Sequence, residues 1–217
     1  MAMPGCCDPS AYGSVFNDRE ARRTAAAFRR KGLGSAASDM VAALTERGLR
    51  GATVLEVGAG VGTAQVALLE AGAARGIAFD LSPASEPVAR ELLAERGLSG
   101  RVEWHLGDFV VEADSIAPAD VVFLNRVVCC YPDMPGLMDA TVGHATRLMA
   151  VALPRRRWLV RAGIRMINAF LRFRRTTFRV FAHDPAEVKR RVESAGLAEV
   201  AFGASPVWEW HVWERAR

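Results

Sequence analysis

The run Glu56-Val57-Gly58-Ala59-Gly60-Val61-Gly62 sets three glycines at alternate positions behind an acid, and Asp80 follows eighteen residues after the last of them. Glycine lets a backbone turn sharply and lets a ligand approach it closely. If a helix follows the turn, its first N–H groups point at whatever the turn holds. An aspartate closing the next strand can accept both hydroxyls of a ribose. A glycine-rich turn on its own also serves tight packing, but the turn, the acid and flanking strands together describe a nucleoside site. A second stretch rich in reactive groups is Asn125-Arg126-Val127-Val128-Cys129-Cys130-Tyr131-Pro132-Asp133.

The elements that would position these groups alternate. Thr53 to Val57 is a short apolar run of the kind buried in parallel sheets, and Thr63 to Ala71 a helix. Strands follow at 76–80, 101–106, 120–124 and 148–153, with helices over 83–96 and 134–147. Near the end of the chain, a helix over 185–195 precedes two runs, 198–204 and 207–213, split by Ser205-Pro206 as in an antiparallel hairpin. The pattern predicts a Rossmann-like α/β fold: a mostly parallel seven-stranded sheet with an antiparallel last strand and helices on both faces. Ahead of it, residues 1–16 read as irregular. Asp18 reads as the N-cap of a helix reaching Phe28, and a second helix spans 35–47. We expect an N-terminal helical cap over 1–49 and a ligand-binding domain over 50–217.

With 217 residues, 51% of them hydrophobic, the chain is long enough for one well-buried domain. No apolar run reaches the roughly 20 residues of a membrane span. The first ten residues lack a basic flank followed by an apolar stretch, so the expectation is a cytoplasmic protein. Lysine occurs only at Lys31 and Lys189; the arginine and alanine bias suggests a GC-rich bacterial coding sequence. The net charge of +4 is mild, and no nucleic-acid-binding motif accompanies it, which argues against a nucleic-acid partner.

The glycines at 58, 60 and 62 behind Glu56 resemble motif I of class I S-adenosylmethionine-dependent methyltransferases. They depart from the G-x-G-x-x-G of dinucleotide enzymes, because Thr63 stands at the third position. Gly107-Asp108-Phe109 resembles the family's adenine site, an acid for the amino group beside an apolar wall. The resemblance implies S-adenosyl-L-methionine as cofactor, held by Glu56, Gly58, Gly60, Gly62, Asp80, Leu81, Asp108, Phe109 and Asn125; for the acceptor we expect a small molecule methylated at oxygen, with nitrogen and carbon left open. The segment after the fourth strand is neither the Asn/Asp-Pro-Pro-aromatic motif of many amine methyltransferases nor the Pro-Cys pair of cytosine C5 enzymes. Within the family the chain is similar to the magnesium-protoporphyrin O-methyltransferase group, through Phe16-Asn17-Asp18, Tyr131-Pro132 and Phe181-Ala182-His183. That group commonly has histidine where this chain has Cys130, so the resemblance carries fold and cofactor but not the acceptor.

Methyl transfer needs an in-line nucleophile and, for a neutral acceptor, somewhere for its proton to go. Tyr131 is a candidate to orient an acceptor oxygen, or else a loop anchor before Pro132. Arg126 is a candidate to grip a carboxylate or phenolate, or else an ion-pairing residue. The cysteine pairs Cys6-Cys7 and Cys129-Cys130 are open to three readings: a zinc site, a disulfide gate, or inert thiols. Vicinal pairs chelate poorly, and no metal site is expected. Residues 154–183 form a basic, amphipathic insertion that reads as a packed helix, a lid over the acceptor, or a contact with an anionic membrane surface. The rival functions are a nicotinamide-dependent oxidoreductase and a non-catalytic cofactor-binding protein of the same fold.

Overall fold

The computed structural model describes residues 9–216. Three helices, α1 (Pro9–Val15), α2 (Asp18–Lys31) and α3 (Ser35–Glu46), come first. They are followed by β1 (Thr53–Val57), α4 (Thr63–Glu70), β2 (Arg75–Asp80), α5 (Ser85–Glu95), β3 (Val102–Leu106), a single turn α6 (Phe109–Glu112), and β4 (Ala119–Asn125). Then come α7 (Met134–His144), β5 (Ala145–Pro154), α8 (Trp158–Phe173), α9 (Pro185–Ser194), β6 (Leu197–Ala204) and β7 (Trp208–Arg215). Among the described residues the strands form one seven-stranded sheet in the order β3-β2-β1-β4-β5-β7-β6. Strands β1 to β5 are parallel, while β7 runs antiparallel between β5 and β6. This is the Rossmann-like, mostly parallel sheet with an antiparallel last strand that the alternation predicts.

Period-two alternation divides the core between the two faces of the sheet. Val54, Val121, Phe123, Leu148 and Ala150 point to one side, where α2, α3, α4 and α5 bury Phe28, Met40, Leu44, Leu68 and Leu92. Leu55, Val57, Val122, Leu124, Met149 and Val151 point to the other, against Phe109, Leu137, Met138, Val188 and Val192 of α6, α7 and α9. Helices α2 and α3 thus share a core with the sheet. Chain order reverses between β1 and β4, and the crevice at the carboxyl ends of such neighbouring strands is where open α/β sheets bind ligands.

Several boundaries differ from expectation. The stretch read as irregular contains α1, which carries a glycine, Gly13, in its interior. The cap of α2 is Asn17, not Asp18: Asn17 has extended backbone, and its side chain accepts from Glu20 N–H at 3.2 Å. That helix runs past Phe28 to Lys31 and stops at Gly32, whose φ is +68°. Helix α7 ends at His144 rather than at residue 147, because Ala145 already pairs with Ala119 of β4. The Thr146 hydroxyl reinforces that pairing by donating to Ala119 O at 3.0 Å.

Candidate active site

The glycine turn leaves β1 with φ of +69° at Gly58, +54° at Gly60 and +69° at Gly62, a region that strains any L side chain. A Cβ on Gly58 would collide with Val127 Cγ2, so this glycine is demanded twice over. The N–H groups of Gly58 and Ala59 both donate to Phe79 O, at 2.8 and 2.9 Å, which stitches the turn to β2. Asp80 fixes the rest of it. Its Oδ2 accepts from Gly60 N–H at 2.7 Å, and its Oδ1 accepts from Ser82 N–H at 2.8 Å and the Ser85 hydroxyl at 3.2 Å. Burial raises the Asp80 pKa, and the hydrogen bonds from Ser82, Gly60 and Ser85 oppose that rise.

Two acceptor atoms in this region stand out. Glu56 is only 3% exposed, and its Oε2 is buried without a partner. Asn125 Oδ1, at the end of the neighbouring strand β4, is likewise buried and unpartnered. Burial pushes the Glu56 pKa well up, the nearby Asp80 charge adds to this, and a hydrogen bond from the Gln65 backbone works against it. Buried acceptors left unpaired are costly, and both residues line the same cavity.

Beyond β3, Asp108 caps the short helix α6 by accepting from Val110 N–H at 3.0 Å. The Tyr131 hydroxyl donates to the same carboxylate, 3.0 and 3.1 Å from its two oxygens. Phe109 is buried edge-on against Phe79, with ring centres 5.2 Å apart. Asp108, Phe109 and Leu81 therefore make one wall of a cavity of about 320 Å³.

The roof comes from distant parts of the chain. The Tyr12 hydroxyl on α1 donates to Cys130 O, and the Ser82 hydroxyl donates to Phe16 O. The rings of Tyr12 and Phe16 both meet buried Phe178 edge-on, at 5.3 and 5.5 Å. Residues 178–183 are anchored in turn, since Phe181 N–H donates to Cys129 O at 2.7 Å and His183 Nε2 donates to Tyr131 O at 2.9 Å. Burial lowers the His183 pKa, which leaves this imidazole neutral.

Arg126 takes a left-handed φ of +63°, and its exposed guanidinium lies 4.7 Å over the Trp208 ring. Its neighbours Cys129 and Cys130 are free thiols with sulfurs 3.8 Å apart. The hydrogen bond between them holds the Cys129 thiol below its ordinary pKa and pushes Cys130 up, with burial adding to the latter. Cys6 and Cys7 lie outside the described residues. Among the described residues, no cluster of three His, Cys, Asp or Glu is arranged to hold a metal ion.

Ten of the eleven residues singled out in the sequence line this one cavity: Glu56, Gly58, Gly60, Asp80, Leu81, Asp108, Phe109, Asn125, Arg126 and Tyr131. Gly62 does not. It begins α4 and faces Ala89 and Trp104, so its part is to start the helix. The sequence reading missed Tyr12, Ala21, Thr24, Thr63 and Ser85, which also line the cavity. Tyr12 and Phe16, four residues apart, were the available sign of a helical face at the N-terminus.

Residues 54–148 match the family described as a methyltransferase domain. Among curated relatives, the N,N-dimethyltransferase OxyT of Streptomyces rimosus is 48% identical over 60 residues, which are 28% of this chain and 16% of that protein. The chain thus spans well under two thirds of the first curated relatives it matches. Among solved structures, magnesium protoporphyrin IX methyltransferase (ChlM) from Synechocystis PCC 6803 with bound SAH superposes with a TM-score of 0.74 at 17% identity. The alignment covers 96% of this chain and 100% of that one. An O-methyltransferase family protein from Burkholderia thailandensis gives a TM-score of 0.72 at 20% identity, over 94% of this chain and 63% of that one. The chain has the class I methyltransferase fold, and the segment that carries the glycine turn, Asp80 and Asp108 is the one that matches the methyltransferase-domain family.

Proposed function

We propose that the protein is an S-adenosyl-L-methionine-dependent methyltransferase acting on a small molecule at oxygen. The observation that carries the reading is the pair of orphaned acceptors, Glu56 Oε2 and Asn125 Oδ1, at the head of a glycine-lined cavity. They suit the ammonium of a methionine moiety. Asp80 suits the ribose hydroxyls, Asp108 the adenine amino group, and Phe109 with Leu81 the ring faces. Residues 1–49 act as a cap in this reading and 50–217 as the cofactor-binding domain. The cofactor, when bound, supplies a methyl group on a positively charged sulfur.

The state of the acceptor follows from how the cavity's titratable groups are occupied. Asp80 and Asp108 are engaged in holding backbone N–H groups, and Glu56 faces the ammonium position. Glu20, which also lines the cavity, pairs with Arg23 at 3.6 Å. With these groups committed, the acceptor that suits the site is an oxygen already ionised near neutral pH, a carboxylate or an acidic phenol. The exposed Arg126 guanidinium at the mouth is the group to grip it. Tyr131 acts one step back, by fixing Asp108.

Parallel calorimetric titrations with S-adenosylmethionine, S-adenosylhomocysteine and NADH test the reading. Micromolar binding of the first two, weakened in Asp80→Ala, is expected. Binding of NADH alone would replace the reading with a nicotinamide enzyme.

A further inference from the structure

Among the described residues, helix α8 carries most of the exposed large apolar side chains, and the site does not use them. Its inner side is narrow: Ile164 is its buried residue, and Asn168 ties it to Val180 through paired hydrogen bonds of 2.7 and 2.9 Å. The outer side carries Trp158, Leu159, Met166, Ile167, Phe170 and Phe173 at helical spacing, from 49% to 83% exposed. So many large apolar side chains on one exposed helix face mark a contact surface.

Charge selects the partner. Residues 155–183 hold nine arginines and no acid, while the rest of the chain carries five more acids than bases. Arg155 and Arg156 pair with Glu209 and Asp184. Arg157, Arg161, Arg165, Arg172, Arg174 and Arg175 are exposed and have no carboxylate within ion-pair distance among the described residues. On the helix, Arg161, Arg165 and Arg172 form a row along one border of the apolar face. A second copy would bring the same positive field against itself. A nucleic acid would satisfy the arginines but leave the phenylalanines and Met166 in water. An anionic bilayer satisfies both, since acyl chains receive the apolar face and headgroups the arginines.

We propose that α8 is a docking helix that lies in the surface of an anionic lipid bilayer. Asn168 couples it to the segment bearing Phe178, so docking sets the cavity roof beside the membrane. The proposal does not depend on the methyltransferase reading.

The test is co-sedimentation of the full chain with vesicles of phosphatidylcholine alone, or of equimolar phosphatidylcholine and phosphatidylglycerol. Binding to the anionic vesicles only, reversed by salt, is expected. Met166→Ser/Phe170→Ser/Phe173→Ser should weaken partition by at least roughly tenfold. Arg161→Gln/Arg165→Gln/Arg172→Gln should weaken it by about fivefold per arginine. Because these side chains point outward, each variant should keep the parent's unfolding temperature, and quenching of tryptophan fluorescence by brominated lipids, present in the unaltered protein and lost in Trp158→Phe, gives a second reading at the helix itself. No binding to anionic vesicles, binding that ignores lipid charge, or binding that survives both variants overturns the proposal. So does a dimer that the serine variant dissociates, in a protein that ignores vesicles.

Discussion

Replacing Glu56 with glutamine should stabilise the ligand-free protein and weaken its grip on cofactor. The side chain is 3% exposed, and Oε2 lacks a partner. Because its folded-state pKa is raised above 4.5 by burial and by the Asp80 charge, its carboxyl favours folding only while protonated. That contribution is fully present below the unfolded pKa and is lost as pH rises through the folded value. At neutral pH the wild type carries this cost and the uncharged amide does not. Relieving a buried unsatisfied group is worth about 1–3 kcal/mol. For a chain of this size that is a rise in Tm of roughly 2–10 °C. Below pH 4 the two proteins should converge. The same change removes a charge-assisted hydrogen bond to the ligand, typically about 1.5–3 kcal/mol, so affinity for S-adenosylmethionine should drop roughly 10- to 150-fold. Differential scanning calorimetry across pH, with calorimetric titration at neutral pH, reads both effects. A variant that melts lower than wild type at neutral pH, with affinity intact, would refute the assignment of Glu56 as a ligand-facing carboxyl held at a cost.

Three other changes probe the site from different sides. Gly58→Ala places a Cβ on Val127 at a left-handed φ and should cost about 1–3 kcal/mol, seen as a lower Tm and lost cofactor binding. Tyr131→Phe removes the donor to Asp108 and should raise the cofactor Kd by roughly three- to tenfold, with acceptor KM little changed; the reverse split would make Tyr131 an acceptor residue. Phe178→Ala strips the roof of the ring that Tyr12 and Phe16 share and should destabilise by about 3–5 kcal/mol, with α1 becoming the first site of limited proteolysis.

The half of the cavity built on the glycine turn was legible because its geometry is local. Three glycines need left-handed backbone, and a strand-ending aspartate needs only its own turn to face them. The alternation made the mostly parallel sheet legible, but not the strand order with its reversal between β1 and β4, which depends on long-range pairing. The roof was not legible, because it depends on pairs such as Tyr12 with Cys130 and Phe16 with Phe178, which lie 118 and 162 residues apart. Arg126 shows the same limit. Its sequence neighbours suggested an ion pair, whereas the fold lays it on Trp208, from a strand that enters the sheet beside β5. The start of α7 at Met134 agrees with the helix read over 134–147, but its end does not, because Ala145 leaves the helix to join a ladder.

The position of β7 has a consequence for synthesis. Strand β5, nearly all apolar, pairs along seven residues with β7, from Leu148 with Glu214 to Pro154 with Trp208. Until residues 208–215 emerge, β5 presents an unpaired hydrophobic edge, the kind of surface that nascent chains use to aggregate. The 53 residues between Pro154 and Trp208 take roughly 3–11 s to make at common elongation rates. A chain cut short anywhere in that interval lacks both the strand that closes this edge and the indole on which Arg126 rests, so one late event covers the sheet and seats that arginine.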